Sequence, residues 1–81
     1  MGRVKVNRSS ALTFGERVRA HRELAGRTQR QVAERAHVEV RYLSDVERGL
    51  RNVGLENIVR IAYGLDVDPA ILVSGLEPTW G

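Results

Sequence analysis

The sequence predicts an all-α fold, and three observations support this prediction. Apolar residues recur at spacings of three and four, the period of an amphipathic helix, rather than at the alternating spacing of a strand. Helix-start signals precede several of these apolar runs. The connections between them are about two to six residues long, which is typical of a compact helical bundle. We therefore predict five short helices in one domain, because a chain of 81 residues forms a single core.

The first predicted helix begins at Thr13. Thr13 and Glu16 have the spacing of a capping box, in which a hydroxyl and a carboxylate bond the free backbone amides of a helix start. Gly26 can end this helix in a left-handed turn. Four residues share its apolar face: Phe14, Val18, His21 and Ala25.

The second predicted helix begins with another capping box, formed by Thr28 and Gln31. A turn of about three residues separates it from the third helix, which is the spacing of a helix-turn-helix motif. So short a turn makes the two helices cross steeply. The inner face of the second helix is predicted to contain Val32, Ala33 and Ala36.

The third predicted helix lies within residues 37–52 and has two contrasting faces. Leu43, Val46 and Leu50 recur at helical spacing on the apolar face, and Gly49 closes the helix. The opposite face of the helix is polar, and it is either an ordinary solvated surface or a surface that recognises a ligand. It combines bases, an acid, a hydroxyl and a valine: Val40, Arg41, Ser44, Asp45 and Arg48.

The fourth predicted helix carries the widest apolar row in the chain, which we expect at the centre of the core. Asp68 and Pro69 have the pattern of a cap followed by a first-turn proline, which starts a fifth helix. The domain is expected to span residues 13–76, with a flexible basic arm over residues 1–12 and a tail over residues 77–81. The wide row comprises Leu55, Ile58, Val59, Ala62 and Leu65.

The composition argues against several classes of site. The chain has no cysteine, and its two histidines, His21 and His37, lie sixteen positions apart, so neither a disulfide nor a clustered zinc site is expected. No run approaches the ~20 apolar residues of a membrane span. No nucleophile, base and orienting group come together, so we expect no enzyme. The prediction is a cytoplasmic protein without a metal, cofactor or small-molecule ligand.

Charge is distributed unevenly along the chain. Residues 1–30 contain eight Lys or Arg and two Asp or Glu, a net charge of +6. Residues 31–60 contain five basic and five acidic residues, a net charge of 0. Residues 61–81 contain no Lys or Arg and three Asp or Glu, a net charge of −3. A basic front favours a polyanionic partner, since attraction to phosphates is local and independent of sequence. The alternative is a solvated mixed surface. In the arm, three bases either follow DNA or belong to a disordered terminus: Arg3, Lys5 and Arg8.

These features together resemble the lambda-repressor-like helix-turn-helix family, also called the Xre or Cro type. The resemblance covers residues 15–72 and includes the segments TQRQVAERA, RYLSDVERG, RN and LENIVRIAYGLDV. Within the family, the chain is most similar to controller proteins of restriction-modification systems, with phage repressors and antitoxin partners close to it. The resemblance implies a homodimeric transcriptional regulator that binds a partly palindromic operator in double-stranded DNA. The alternative is an antitoxin or adaptor that binds a protein.

Ten residues on and around the third helix are predicted to contact DNA, eight of them from the resemblance. The positions that face base edges in the major groove are Val40, Arg41, Ser44 and Asp45. The positions at which the family contacts phosphates are Gln29, Arg48, Arg51 and Asn52, and we add Arg30 and Tyr42, whose guanidinium and hydroxyl groups can also bond a phosphate.

Several of these roles have a structural alternative. Arg41 suits guanine, because a guanidinium bonds O6 and N7 together, but it is otherwise a solvated or phosphate-binding side chain. Val40 packs either on a thymine methyl or on its own protein. Asp45 either accepts from a cytosine amino group or holds Arg41 or Arg48 in place. Tyr42 either bonds a phosphate or packs at the helix junction.

The resemblance also implies a structural ion pair between Arg22 and Glu47, which is not a DNA contact. Three positions depart from the family pattern. His37 stands in the turn where glycine is usual, and a left-handed conformation there costs roughly 1–2 kcal/mol. Arg27 replaces a buried aliphatic residue, and Glu39 replaces a small capping residue. These departures affect the turn more than the fold.

The C-terminal segment has more apolar surface than a five-helix monomer readily buries. We predict that it forms a two-fold dimer interface, which would place two recognition helices one DNA turn apart, ~34 Å. In the alternative, Trp80 folds back onto its own core. The predicted interface contains Ile71, Leu72, Val73, Leu76 and Trp80.

Overall fold

A computed structural model describes residues 9–78, which form five α-helices connected by short loops. No strand occurs in this part of the chain, so the all-α prediction is confirmed. None of its helices is long and apolar enough to cross a membrane. The helices are α1 (Ser10–Leu24), α2 (Gln29–Ala36), α3 (Val40–Glu47), α4 (Leu55–Leu65) and α5 (Pro69–Val73).

Two of the predicted helix starts have the predicted caps. At the start of α2, the Thr28 hydroxyl accepts from the backbone N–H of Gln31 at 3.0 Å, and the Gln31 side chain accepts from the backbone N–H of Thr28 at 2.9 Å. At the start of α5, the Asp68 carboxylate accepts from the backbone N–H of Ala70 at 2.8 Å, and Pro69 occupies the first turn. Local side-chain chemistry therefore determines where these two helices begin.

Helix α1 begins at Ser10, three residues earlier than the sequence predicted. Its cap is Ser9, whose hydroxyl accepts from the backbone N–H of Leu12 at 3.0 Å. The predicted start at Thr13, and with it the end of the arm, is wrong, because Ser9 offers a cap one turn earlier and no Gly or Pro interrupts the intervening residues. The bases predicted to form the arm, in residues 1–8, lie outside the described residues.

All five helices contribute side chains to one core. The predicted inner face of α2 is confirmed, because Val32, Ala33 and Ala36 are each at most 2% exposed. Such close packing leaves few voids, so a change of side-chain volume there would be costly. The buried residues that pack together are Phe14, Val18, Val32, Ala33, Leu43, Val46, Ile61, Ala62, Leu65 and Leu72.

Four residues that the periodicity placed on apolar helix faces are exposed, one of them Ala25, which directly follows α1. Leu50 is 61% exposed, because α3 ends at Glu47 and Leu50 no longer follows its apolar face. Leu55 and Val59 are 78% and 46% exposed on α4, whose buried side is centred instead on Ile61. An apolar row as wide as that of α4 covers more of the helix than its neighbours can bury, so part of it faces solvent.

Two glycines allow the helices to approach closely. A Cβ atom added to Gly15 of α1 would overlap the backbone carbonyl oxygen of Val46 in α3. A Cβ atom added to Gly64 of α4 would lie 2.9 Å from the carbonyl oxygen of Val32 in α2, well inside van der Waals contact. The position of α3 therefore depends on a close backbone contact with α1.

The segment that follows α5 lies against α1. The Arg17 guanidinium donates to the carbonyl oxygens of Leu72 and Ser74 at 3.2 and 2.7 Å, and the Ser10 hydroxyl donates to that of Glu77 at 2.6 Å. Leu72 itself is fully buried in the core of its own chain. Its predicted place in a dimer interface is therefore wrong, because it has no surface left for a second protomer.

Candidate nucleic-acid interface

Helices α2 and α3 are joined by the short turn that the sequence predicted. His37 has a left-handed backbone conformation, with φ at 58°, and directly follows α2. The backbone N–H groups of His37 and Val38 donate to the carbonyl oxygens of Glu34 and Ala33 at 3.3 and 3.0 Å. The turn thus provides hydrogen-bond donors for the last carbonyl oxygens of α2, although histidine replaces the glycine of the family. Histidine tolerates the left-handed conformation better than branched residues do.

Helix α3 has a buried face and an outward face, as predicted. Leu43 and Val46 are fully buried beneath the helix. Arg41 is exposed, and its side chain makes no hydrogen bond or ion pair within residues 9–78, whereas Ser44 is half-buried. Val40 is half-buried and packs against the core, which supports the alternative that it packs on its own protein. Of the four predicted base-reading side chains, Arg41 is the most accessible to a ligand.

The buried carboxylate of Glu47 connects the end of α3 to α1 and α2. Oε2 of Glu47 accepts from Nε of Arg22 at 2.7 Å, and Oε1 accepts from Nη2 of Arg22 and from Nε2 of Gln29, both at 3.0 Å. Nη1 of Arg22 also donates to the carbonyl oxygen of Arg27 at 3.0 Å. The predicted pair between Arg22 and Glu47 is therefore present, and Gln29 braces α3 through it.

This ion pair is shielded from solvent. The Arg22 and Glu47 side chains are 14% and 3% exposed. The hydrogen bonds to Glu47 raise the pKa of Arg22, and desolvation opposes this increase only in part. Arg22 thus stays positively charged inside the fold, where it neutralises the buried carboxylate.

A second cluster of polar side chains lies at the C-terminal end of α3. Oδ1 of Asp45 accepts from Nη2 of Arg48 at 2.8 Å, and Oδ2 lies 3.7 Å from Nη2 of Arg51. The Arg51 guanidinium also lies over the ring of Tyr42, 5.1 Å from its centre. Nδ2 of Asn57 donates to the Tyr42 hydroxyl at 3.1 Å. Asp45 thus pairs with Arg48, one of the two partners that the sequence suggested, and Tyr42 packs at the helix junction.

Asn57 is a member of this cluster that the sequence analysis missed. It lies on α4, and its partner Tyr42 lies on α3, fifteen residues earlier in the chain. No local spacing pattern relates two residues on different helices, so periodicity gives no signal for this bond.

The residues predicted to contact phosphates lie on the start of α2, on α3 and in the loop that follows α3. Gln29 and Tyr42 are half-buried, since both bond other side chains of the protein. Four others are exposed: Arg30, Arg48, Arg51 and Asn52. Together with Arg41, these exposed groups give this side of the described chain a predominantly positive surface.

Arg27 caps the C-terminal end of α4 instead of extending the basic surface. Its Nη1 donates to the carbonyl oxygen of Gly64 at 3.0 Å, and its Nη2 donates to the carboxylate of Asp66 at 3.0 Å. Arg35 donates to the same two groups at 3.1 and 2.9 Å. The departure from an aliphatic residue at this position is thus explained by helix capping. At Glu39, the cap position of α3 forms no side-chain hydrogen bond.

Comparison with known proteins relates this arrangement to a family. A family model described as a helix-turn-helix domain matches residues 13–72. The control protein C.BamHI of Bacillus amyloliquefaciens is 40% identical over 63 residues, which are 76% of this chain and 78% of that protein. The immunity repressor protein of Bacillus phage phi105 is 34% identical over 62 residues, which are 76% of this chain but 43% of the repressor. The chain thus spans less than half of the phage repressor.

A solved structure shares both the fold and much of the sequence. The restriction-modification controller protein C.AhdI from Aeromonas hydrophila is 39% identical and superposes with a TM-score of 0.74, covering 76% of this chain and 94% of that chain. The family match includes both helices of the motif and the turn between them. The chain belongs to the helix-turn-helix family of DNA-binding transcriptional regulators.

Proposed function

We propose that this chain is a homodimeric transcriptional regulator that binds a partly palindromic DNA operator, as a restriction-modification controller or a phage-type repressor. The observation that carries this proposal is the geometry of α3. Its inner face is held by Leu43, Val46 and Glu47, while Arg41 projects from its outer face with no partner in residues 9–78. A helix held by buried contacts, with an exposed guanidinium that no other side chain in the described part of the chain engages, suits the major groove, where such a group bonds guanine.

The proposed contacts divide into base readers and phosphate binders. Arg41 and Ser44 face the base edges, and Val40 offers its remaining exposed surface to a thymine methyl group. Asp45 faces the same groove beside them. The phosphates are bound by Gln29, Arg30, Tyr42, Arg48, Arg51 and Asn52, since cationic, amide and hydroxyl groups position a protein on the DNA backbone.

We propose that the dimer interface uses Ile71 of the predicted C-terminal interface together with the exposed apolar surface of α4. Val73 and Leu76 of that prediction are half-buried, and Trp80 lies outside the described residues. Leu55, Val59 and Tyr63 recur at every fourth residue along α4 and are 78%, 46% and 66% exposed. Ile71 of α5 is also 46% exposed. Several large apolar side chains exposed on neighbouring helices are typical of a surface that binds a protein partner. A second copy of the chain would bury them and present two α3 helices to successive turns of DNA.

The proposed cellular setting follows from this activity. A regulator of transcription works in the cytoplasm, where it associates with the chromosomal DNA of a bacterium or of a phage-infected cell. It acts by occupying promoter DNA, and we propose no catalytic step, metal, cofactor or small-molecule ligand for it.

Selection of bound duplexes from a random DNA pool tests the proposal. We expect an enriched motif with two related half-sites, bound at least ~10³-fold more tightly than random duplex. Affinity for random duplex should fall with the logarithm of salt concentration, with a slope near −0.9 for each phosphate contacted. If no motif is enriched, the regulator proposal fails and the antitoxin or adaptor function takes its place.

A further inference from the structure

We infer that Asp45 is a positioning residue that makes the protein selective for its operator: it holds Arg48 and Arg51 in place, so that its charge weakens their binding to phosphates less on the operator than on random DNA. This inference rests on the proposed function, because it assigns a role to one residue of the proposed DNA-binding surface. It differs from the base-reading role, in which Asp45 bonds a cytosine.

The geometry around Asp45 brings one carboxylate to two arginines. Its two oxygens are directed to different partners, Oδ1 to Arg48 at 2.8 Å and Oδ2 to Arg51 at 3.7 Å. The Asp45 side chain is 18% exposed, whereas those of Arg48 and Arg51 are 63% and 50% exposed. The carboxylate is thus less screened by solvent than its partners, while both guanidinium groups remain accessible to a phosphate.

Arg51 has a second restraint that Arg48 lacks. Its guanidinium lies 5.1 Å from the centre of the Tyr42 ring, an attractive cation–π distance. The Tyr42 hydroxyl is in turn held by Asn57 of α4 at 3.1 Å. Asp45 and Tyr42 therefore position Arg51 between them, and the loop after α3 is attached to both α3 and α4.

The charge of Asp45 opposes every approach of a phosphate to this cluster. Affinity for random DNA depends on how many phosphates the cations neutralise, so a carboxylate between two arginines lowers it. On the operator, base contacts made by α3 add binding energy that random DNA does not supply. A penalty that is equal in both complexes would cancel from the ratio of the two affinities. Asp45 increases discrimination because it holds the arginines where the operator phosphates lie, so the penalty is smaller on the operator than on random DNA.

Asp45→Asn removes the charge and keeps the shape of the side chain. We expect affinity for random duplex at physiological salt to rise roughly fivefold, and the salt slope to become steeper by about 0.9. Affinity for the selected operator should rise less, because the arginines lose their alignment there, so the ratio of the two affinities falls. Asp45→Ser, which also removes the charge but has a shorter side chain, should change the affinity for random duplex and the affinity for the operator in the same directions as Asp45→Asn does.

The matched control is Glu23→Gln. It also removes one negative charge from a carboxylate–arginine pair, since Glu23 accepts from Arg19 at 3.1 Å on the exposed surface of α1. We expect the control to leave the affinity ratio unchanged. Far-UV circular dichroism and thermal unfolding check that each variant is folded. With Arg48→Gln and Arg51→Gln in place, Asp45→Asn should no longer change the ratio, because no arginine remains for Asp45 to hold.

Two results would overturn the inference while leaving the proposed function intact. In one, the unchanged protein selects an operator, but Asp45→Asn weakens operator binding and loses preference at a single base pair, which identifies a base reader. In the other, Asp45→Asn and Glu23→Gln give the same ratio. Failure of the unchanged protein to bind any duplex would instead overturn the proposed function, and this inference with it.

Discussion

Glu47 connects the end of α3 to both α1 and α2. Its carboxylate receives three hydrogen bonds, two from Arg22 and one from Gln29, at 2.7 to 3.0 Å. A carboxylate that is 3% exposed is stable in its charged form only while such donors surround it. The pair therefore constrains the fold, and its loss is costly because it leaves one buried charge without a partner.

Arg22→Ala should lower the free energy of unfolding by about 3–5 kcal/mol, because it leaves the buried Glu47 carboxylate without its cation. Arg19→Ala is the matched control, since it breaks an exposed pair with Glu23 on the same helix and should cost about 0–1 kcal/mol. Urea unfolding measures both values. Equal losses in the two variants would show that the buried pair is not a special constraint.

The pH dependence of this contribution follows from the raised pKa of Arg22. A raised pKa in the folded state means that the stabilisation is fully present below the unfolded pKa and is lost only as the pH rises through the folded pKa. For arginine this range is strongly alkaline. The charge of Arg22 should therefore contribute equally to stability from neutral to mildly alkaline pH.

His37 and Asp66 have nearly the same left-handed backbone conformation, with φ at 58° and 59°. His37→Gly should raise the free energy of unfolding by about 1 kcal/mol, since glycine adopts this conformation without steric cost. Asp66→Gly relieves the same strain but removes the carboxylate that pairs with Arg27 and Arg35, so its gain should be smaller or absent. Thermal unfolding of both variants compares them. A larger gain at Asp66 would contradict this account of the two turns.

At the scale of the elements, close backbone contact determines where the helices cross. Helix α1 approaches α3 at Gly15, and α4 approaches α2 at Gly64. The orientation of α3 thus depends on packing with α1 as well as on the short turn after α2. Both glycines are interior helical positions, where glycine is intrinsically unfavourable by roughly 1 kcal/mol, so packing supplies the reason for their presence.

Gly15→Ala should lower the free energy of unfolding by about 1–3 kcal/mol, because the added methyl group meets the carbonyl oxygen of Val46 and forces the helices apart. Operator affinity should also fall, since α3 shifts with the crossing. Gly54→Ala is the control, because no atom lies within 4 Å of the added group, so the only expected cost is the loss of the glycine cap of α4, below about 1 kcal/mol. Similar effects of the two substitutions on unfolding in urea would mean that the crossing is not tightly packed.

The start of a helix was predictable from the sequence where a neighbouring side chain caps it. The capping box at Thr28 and the cap at Asp68 follow from neighbouring side chains, so sequence spacing identifies them. The start of α1 was misplaced, because Thr13 and Ser9 both offer a cap hydroxyl and spacing does not decide between them. The exposed side of α4, including Val59, was assigned to the core because a wide apolar row does not show which part its neighbours cover.

Contacts between helices were predictable only through the family resemblance. Arg22 and Glu47 lie 25 residues apart, and no periodic pattern relates them, yet the family implies their pair and the structure contains it. The bond between Asn57 and Tyr42 had no such guide and was not predicted. For Arg27, the family pattern was misleading, because this chain uses the side chain to cap α4.

At the scale of the whole molecule, the exposed apolar row on α4 predicts self-association. Val59→Glu places a charge at the middle of this row and should shift the protein towards monomer, because a buried unpaired charge is costly. Leu24→Glu is the control, since Leu24 is 82% exposed at the end of a different helix, α1. Sedimentation equilibrium at micromolar concentrations measures the mass. A monomeric mass for the unchanged protein would remove the dimer from the proposal.

The most direct test of the account is the affinity of Arg41→Ala for the selected operator and for each of its single-base variants. If Arg41 on the outer face of α3 reads DNA, the variant loses its preference at one base pair of each half-site, by about 1–3 kcal/mol, and keeps its preferences elsewhere. Uniform weakening across every operator variant, with all base preferences retained, would contradict the claim that the outer face of α3 reads the sequence.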